Sequence, residues 1–299
     1  MRTLNVATAS GLHVLGDGHR LELEGRDVTA LYIGSDAERW AIVDRSELWH
    51  DPGSGWESKA TSGDLQLNCL LVNDGKAWVG TSRARLMQFD GSTLRPVASF
   101  DEAPGRAEWF TPWGGPPDVR SLTVQPERLF VNVHVGGILR SSRDGAAFEP
   151  TIDIGADVHE VAPAGHAGVV AATAWGLAAS DDLGQTWTFD DEGLHATYAR
   201  AVAVGEDSLF MTACEGPFGG RSAIYRRPLD GSGWSKCGDG LPEWFQDNID
   251  TGCVSAADGL VAFGAPDGRV FLSSDDGNSW DEIATDLGTV RWVEFGSLD

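Results

Sequence analysis

The sequence predicts an all-β fold: a single seven-bladed β-propeller with four-stranded blades that extends over residues 1–299. Three observations lead to this prediction, namely a hairpin pattern that occurs seven times, an opening strand that recurs in phase with it, and chain ends that complete one blade together. The repeat period of about 40 residues is that of a propeller blade. Longer spacings indicate insertions near 100–117, 215–222 and 242–248.

The repeated hairpin consists of an apolar strand, a turn of small residues, a second strand, an Asp-Gly pair and an aromatic residue. Seven segments carry this pattern, the last three in degenerate form: 171–187, 261–280, 130–148, 223–234, 12–21, 48–56 and 86–94. In the four clear copies the apolar residue after the turn precedes the glycine by seven positions, as Leu177 precedes Gly184. Short strands with glycine-rich turns and no amphipathic helical stretch agree with an all-β protein.

Each unit opens with a strand of the form x-V-x-x-apolar, for example DVRSL at 118–122 and DVHEV at 157–161. These strands are expected to be the inner strands of the blades, whose early residues point into the central channel. The seven equivalent positions are Thr29, Asn68, Arg120, His159, Arg200, Thr251 and Arg291. The last inner strand, 289–295, has no partners after it, whereas residues 3–23 supply three strands without an inner strand. Together they are expected to close the propeller and remove an open sheet edge.

Composition and charge exclude several classes of function. Asp and Glu number 45 against 22 Lys and Arg, so the formal net charge is −23, and such a surface repels nucleic acids. No segment is apolar enough for a signal peptide or a membrane span, and the four cysteines lack metal-binding spacing, which favours a cytoplasmic protein with buried thiols. The GxSxG elbow, the P-loop, GxGxxG and HExxH are absent.

Two segments, SDDLGQTW at 180–187 and SSDDGNSW at 273–280, match the pattern Ser-x-Asp-x-Gly-x-Thr/Ser-Trp. Through these residues the chain resembles the BNR/Asp-box propellers, a group that includes sialidases and related glycoside hydrolases. The group also includes non-enzymatic members such as photosystem II assembly factors and sortilin-type receptors. The resemblance implies that the boxes are structural turns between the third and fourth strands of a blade, on the face opposite the ligand.

The inner strands predict an anion-binding pocket. Arg120, Arg200 and Arg291 would hold a carboxylate, sulfate or phosphate, with Asn68 beside them. The three arginines resemble the carboxylate clamp of sialidases, which use a Tyr nucleophile, although the Phe/Tyr-Arg-Ile-Pro motif is absent. The candidate catalytic residues are His159, Tyr198, Asp157 and Glu160. The alternative is an internal salt-bridge network that ties the blades together.

Three histidines suggest a second kind of chemistry. His134, His159 and His195 are expected on one face of neighbouring blades, where they would bind a divalent metal or act as acid and base. The alternative is surface or hydrogen-bonded histidine without such a role.

Aromatic residues in the loops predict a sugar-like or ring-containing ligand. The candidates for binding are Trp109, Trp113, Trp175 and Trp244. The sequence therefore predicts a small-molecule site for an anionic or sugar-like ligand, with hydrolase (glycosidase-like) or lyase activity if the protein is an enzyme. The alternative function is a non-catalytic scaffold that binds a protein partner through the aromatic rim; the alternative for the aromatic residues is packing of the long loops.

Overall fold

A computed structural model describes residues 2–34, 38–231 and 233–296. Within these ranges the chain forms seven antiparallel sheets of four strands each, and the fold is the seven-bladed β-propeller that the sequence predicts. Ser232, in the hairpin copy at 223–234, and both ends of the range 1–299 lie outside the described residues. None of the helices described is long and apolar enough to cross a membrane.

Every blade is a meander of four strands, and one blade combines strands from both ends of the chain. In chain order the strands are β1 (Leu4–Thr8), β2 (Gly11–Leu15), β3 (His19–Glu22), β4 (Val28–Ile33), β5 (Arg39–Val43), β6 (Glu47–Asp51), β7 (Glu57–Thr61), β8 (Leu67–Asn73), β9 (Lys76–Thr81), β10 (Arg85–Phe89), β11 (Leu94–Pro96), β12 (Val119–Gln125), β13 (Arg128–Val133), β14 (Gly137–Ser142), β15 (Glu149–Pro150), β16 (Val158–Ala164), β17 (Gly168–Thr173), β18 (Gly176–Ser180), β19 (Thr188–Asp190), β20 (Tyr198–Val204), β21 (Ser208–Cys214), β22 (Ala223–Pro228), β23 (Ser235–Lys236), β24 (Val254–Ala257), β25 (Leu260–Gly264), β26 (Val270–Ser273), β27 (Asp281–Ala284) and β28 (Val290–Phe295). The sheets are β4-β5-β6-β7, β8-β9-β10-β11, β12-β13-β14-β15, β16-β17-β18-β19, β20-β21-β22-β23, β24-β25-β26-β27 and β28-β1-β2-β3.

The chain ends meet as the sequence predicts. Strand β28 pairs antiparallel with β1, with Val293 opposite Val6 and Phe295 opposite Leu4. This pairing gives the N-terminal strands β1–β3 their missing inner strand. A sheet edge that would otherwise be open is thereby removed.

The described helices are short and lie in connections. They are the α-helix α1 (Ala98–Asp101) and the 3₁₀ segments Ser82–Ala84, Arg106–Glu108 and Ile154–Ala156. The insertions at 215–222 and 242–248 hold each other by backbone hydrogen bonds, because Ser222 N donates to Phe245 O and Phe245 N donates to Ser222 O, both at 2.8 Å.

Two compact units can be described separately. Unit 1 comprises Met1–Val28, Ala172–Leu177 and Phe189–Asp299, and unit 2 comprises Thr29–Ala171 and Ala178–Thr188. Large fully buried aromatic residues lie in both cores. Those of unit 1 include Phe210, Phe263 and Phe271, and those of unit 2 include Trp78, Phe100 and Phe130.

The two complete Asp-box segments are hairpin turns, each between the third and fourth strands of its blade. Asp182 Oδ1 accepts from the backbone of Gln185 and Thr186 at 2.8 and 2.9 Å, and Ser180 Oγ accepts from the backbone of Gly184 at 2.9 Å. The second box repeats this arrangement, with Asp275 as the acceptor. Because Asp182 and Asp275 accept hydrogen bonds from their own turns, they stabilise these two hairpins.

The predicted position near the start of the inner strand is confirmed for six blades and wrong for one. Thr29, Asn68, Arg120, His159, Arg200 and Arg291 lie within the first three residues of their strands, whereas β24 begins only at Val254. Thr251 lies in a turn, in which Cys253 N donates to Asp250 O at 3.0 Å. Gly252 takes a φ of +76° there, a conformation that interrupts a strand.

Candidate functional site

Four of the predicted channel positions are β-bulges. The register between inner and second strand shifts at Asn68, Arg120 and Arg291, and across Arg200 and Ala201, so the inner strand has one residue more than the second strand at each of these places. A bulge bends the strand and redirects its side chain. The repeat therefore gives these four side chains a local backbone geometry that differs from that of the rest of the strand.

In unit 1 two of the arginines form ion pairs. Arg200 Nη2 lies 3.0 Å from Asp250 Oδ2, and Arg291 Nε lies 3.2 Å from Asp27 Oδ1. Each carboxylate comes from the segment that leads into the inner strand of the next blade. This is the arrangement of the alternative that the sequence left open, a network tying blades together. Tyr198 lies beside it, with the Arg200 guanidinium 5.7 Å from its ring.

In unit 2 the surroundings of Arg120 are different. Asn68 Nδ2 donates to Val119 O at 3.3 Å, which connects one inner strand to the next. Asp118, just before β12, is half-buried, and burial raises its pKa against the opposing effects of the Arg83 backbone, His134 and Arg120. Arg120 and His134 thus lie within electrostatic range of the same carboxyl group.

Unit 2 contains a cluster of titratable side chains made of two histidines and one aspartate. His134 Nε2 lies 3.2 Å from Asp157 Oδ1, and His159 Nε2 lies 3.6 Å from Asp157 Oδ2. The two imidazole ring centres are 5.6 Å apart. We call His134, Asp157 and His159 the histidine–aspartate cluster.

Three local features position the cluster. His134 follows β13 in the turn to β14, where Val135 takes a φ of +53°, and a β-branched residue adopts that conformation only under constraint. Asp157 ends the 3₁₀ segment Ile154–Ala156 in a left-handed conformation with φ +48°. His159 is the second residue of β16 and has 0% exposure.

The cluster is shielded but still reachable from solvent. His134 is 8% exposed, and the ring of Trp113, itself 68% exposed, lies 5.2 Å from the His134 ring. Burial acts to raise the pKa of Asp157, but close contact with the two imidazoles and their positive charge outweighs it and holds the pKa below its usual range. The carboxylate is therefore ionised between the two rings. Glu160, the next residue after His159, is buried as well.

His195 lies in unit 1. Its Nδ1 is 2.6 Å from Tyr225 Oη, and its ring lies 4.7 Å from Trp244. The Lys236 ammonium is 3.7 Å from the centre of the Trp244 ring. Burial lowers the pKa of His195. In unit 2 Asp157 is the third group beside His134 and His159, and the grouping of these two histidines with His195 stays a prediction.

The other aromatic candidates have different positions. Trp109 is 9% exposed and packs in the core of unit 2, with Phe100 at 5.9 Å and the Arg106 guanidinium at 4.9 Å. It therefore contributes to loop packing and does not present a binding surface. Trp175 is exposed and lies 5.3 Å from Phe189.

Sequence reasoning missed two partners. Asp27 pairs with Arg291. The Asp-Val pair that opens several units, as at 27–28 and 118–119, could have predicted a carboxylate at this place. Tyr225 orients His195 from the third strand of a blade, and no spacing in the sequence indicates that contact.

Comparison with known proteins identifies the fold and no family. No family model matches the chain, and no curated protein matches it. Among solved structures, virginiamycin B lyase from Staphylococcus aureus is 14% identical with a TM-score of 0.64, over 87% of this chain and 84% of that one. YCF48 bound to D1 peptide is 14% identical with a TM-score of 0.60, over 94% and 84%. The GH74 enzyme of Niastella koreensis is 15% identical with a TM-score of 0.62, over 94% of this chain and 46% of that one.

Proposed function

We propose that this chain is an Asp-box propeller with a small-molecule site at the histidine–aspartate cluster, where an anionic or sugar-like ligand binds beside Trp113. We further propose acid–base chemistry of the hydrolase or lyase type. The observation that carries the proposal is the ionised carboxylate of Asp157 between two shielded imidazoles, with an exposed indole at their edge. A shielded group of titratable side chains with a shifted pKa is characteristic of functional sites.

The roles within the cluster follow from exposure. The sequence suggested His159 as the group nearest the reacting atom, but His159 is inaccessible to solvent. In this proposal His134 takes that role. His134 would transfer the proton, because a neutral imidazole accepts one and an imidazolium donates one near neutral pH. Asp157 would orient the ring and stabilise its charged form, as a carboxylate does beside a catalytic histidine. His159 would position the Asp157 carboxylate through its second oxygen.

Arg120 would supply the attraction for an anion in this unit. The guanidinium is a permanent charge with a planar set of donors that matches carboxylate or phosphate. Arg200 and Arg291 lie in unit 1, where they pair with Asp250 and Asp27.

The comparisons support catalysis on this fold without deciding it. One similar structure is a virginiamycin B lyase described as catalytically inactive after replacement of a histidine by alanine, with quinupristin bound. We propose the same dependence on a histidine here, for His134. The four free, buried cysteines also agree with our proposal of a cytoplasmic protein.

The test is thermal unfolding in the presence of sugar acids, phosphates, sulfated sugars and neutral sugars. A ligand that binds only the folded protein raises Tm by mass action. We expect one anionic or sugar-like class to raise Tm, with the rise lost in Trp113→Ala and kept in Trp175→Ala, a matched control with an exposed indole in unit 1. A rise that survives Trp113→Ala and His134→Ala would place the ligand elsewhere and contradict the proposal.

A second candidate function is binding of a protein partner. Phe218 is 98% exposed at the tip of the 215–222 insertion, between Pro217 and Gly219, where nothing in the fold requires an aromatic residue. Such a side chain is characteristic of interaction surfaces. The peptide-bound YCF48 structure gives this function a precedent on the same fold. An absence of any Tm rise across the ligand panel would favour it.

A further inference from the structure

We propose that the histidine–aspartate cluster binds one divalent transition-metal ion of the zinc type, with His134, His159 and Asp157 as its ligands. The inference rests on the proposed function because it assigns an ion to the same site. In the metal-bound form the acid–base role of His134 would pass to a water molecule on the ion, because a coordinated imidazole nitrogen does not exchange a proton. Its ligand set differs from the three histidines that the sequence suggested, because Asp157 takes the place of His195.

The distances between the donor atoms fit one shared ion. With metal–ligand bonds of about 2.0–2.1 Å, two ligands of a tetrahedral zinc are about 3.3 Å apart. The distances from Asp157 oxygens to His134 Nε2 and His159 Nε2 are 3.2 and 3.6 Å, on either side of that value. One donor atom from each of the three residues can be chosen so that all lie within 4.8 Å of one another. Binding of one ion would draw the three donor atoms together from within this limit to the spacing of ligands on a zinc ion.

Two of the donor atoms are not satisfied by hydrogen bonds within the described part of the protein. His134 Nε2 and Asp157 Oδ1 are buried, and among the described residues neither has a hydrogen-bond partner of acceptable geometry, although they lie 3.2 Å apart. Unsatisfied buried polar atoms are costly, so they need a partner. A metal ion between them would satisfy both at once.

The donor set selects the kind of metal. Two imidazoles and one carboxylate suit zinc, cobalt, nickel and iron(II), whereas magnesium and calcium prefer sites made only of oxygen. Two neutral imidazoles and one carboxylate leave a dipositive ion with a net charge of about +1, which would attract an anionic ligand. Three protein ligands also leave a coordination position open, the arrangement of catalytic zinc sites. Because Asp157 is partly exposed and Trp113 lies beside His134, that open position would face the solvent.

The experiment is a titration of the chelator-treated full chain with Zn²⁺ by calorimetry, and with Co²⁺ by its visible absorption. We expect one ion per chain and a cobalt spectrum of low coordination number. Loss of a ligand should weaken binding by more than the factor of about 10–100 that loss of a supporting residue causes. We therefore expect His134→Ala, His159→Ala and Asp157→Asn each to exceed that factor.

The control is His195→Ala, which removes the histidine that lies with Tyr225 and should leave metal affinity unchanged. Asp157→Asn keeps the size of the side chain, and far-ultraviolet circular dichroism checks that each variant is folded. Stoichiometric binding that persists in folded His134→Ala and Asp157→Asn, or no binding at about 100 μM metal, would overturn the inference.

The two proposals fail separately. One outcome is that the protein binds no metal but still shows a ligand-induced rise in Tm that depends on Trp113. This outcome would overturn the metal site and leave the proposed function standing. Tight metal binding that depends on His134, without a response to any ligand class, would support the metal site and contradict the small-molecule function. Metal binding followed by a larger ligand-induced rise in Tm would support both.

Discussion

Glu294 provides a sharp test of the electrostatics of the innermost strands. It lies on β28 and is partly buried, and its carboxyl accepts a long hydrogen bond, 3.5 Å from Trp292 Nε1. Burial raises the pKa of Glu294 from 4.5 to about 7. The folded protein therefore keeps a proton on Glu294 over a pH range in which the unfolded chain has released it.

The size and sign of the effect follow from linkage. A raised acid pKa stabilises the folded state fully only below the unfolded value, and that contribution is lost as pH rises through the folded value. The pKa rises from 4.5 to about 7, and at 1.36 kcal/mol per pKa unit the loss is about 3 kcal/mol. This is an upper value, because Glu294 keeps some contact with solvent. Glu294→Gln removes the titration and keeps the shape of the side chain.

The assay is urea unfolding of the wild type and of Glu294→Gln at several pH values from about 4 to about 8.5, followed by tryptophan fluorescence. We expect the variant to gain stability relative to the wild type between pH 4.5 and about 7, and the difference to stay constant above that range. Glu127→Gln, at a residue exposed in the turn between β12 and β13, is the surface control for the same substitution. A stability difference for Glu294→Gln that stays flat across this range would refute the reasoning.

Two further predictions concern turns. We expect Asp182→Asn and Asp275→Asn to lower Tm at pH 7, because each charged carboxylate accepts hydrogen bonds from its own hairpin. The difference in Tm from the wild type should vanish as pH falls from the unfolded pKa of 3.8 through the folded value of about 2. A Tm difference unchanged at pH 2 would contradict this. Gly252 has a φ of +76° and a Cβ there would overlap the Trp292 ring, so Gly252→Ala should cost about 1–2 kcal/mol of backbone strain plus about 1–3 kcal/mol of overpacking in urea unfolding. Gly25→Ala, with a φ of +79° and open space, should show the backbone cost alone, and equal losses in both variants would exclude the overpacking.

The fold could be predicted from the sequence because its signals are local and repeated. A hairpin such as 171–187 carries its own turn residues, and seven copies in phase leave few alternatives to a propeller. The inner strand of the sixth blade was misplaced because Thr251 occupies the expected position in the repeat. The turn at Gly252, a feature of one residue, delays the strand to Val254.

The site was harder to predict, because its contacts depend on backbone detail that the repeat does not encode. The repeat places His159 on an inner strand, and the approach of His134 to Asp157 depends on two left-handed residues, at 135 and 157. Neither residue is a glycine, so composition gives no signal for them. The placement of Trp109 in the core likewise depends on how the 100–117 insertion folds against Phe100, which spacing does not determine.

One position in the repeat explains how a structural contact can become a chemical site. Arg291 and Arg200 pair with carboxylates that lie just before the next inner strand, Asp27 and Asp250. Asp157 occupies the corresponding place before β16, but its partners are histidines. A guanidinium stays charged at every physiological pH, so its pair with a carboxylate remains an ion pair. An imidazole gains and loses its proton near neutrality and binds metals, so the same carboxylate beside histidines can support proton transfer or metal binding. On this argument, chemistry is expected at the blade where the partner of the aspartate is a histidine, and structural ion pairing at the blades where it is an arginine.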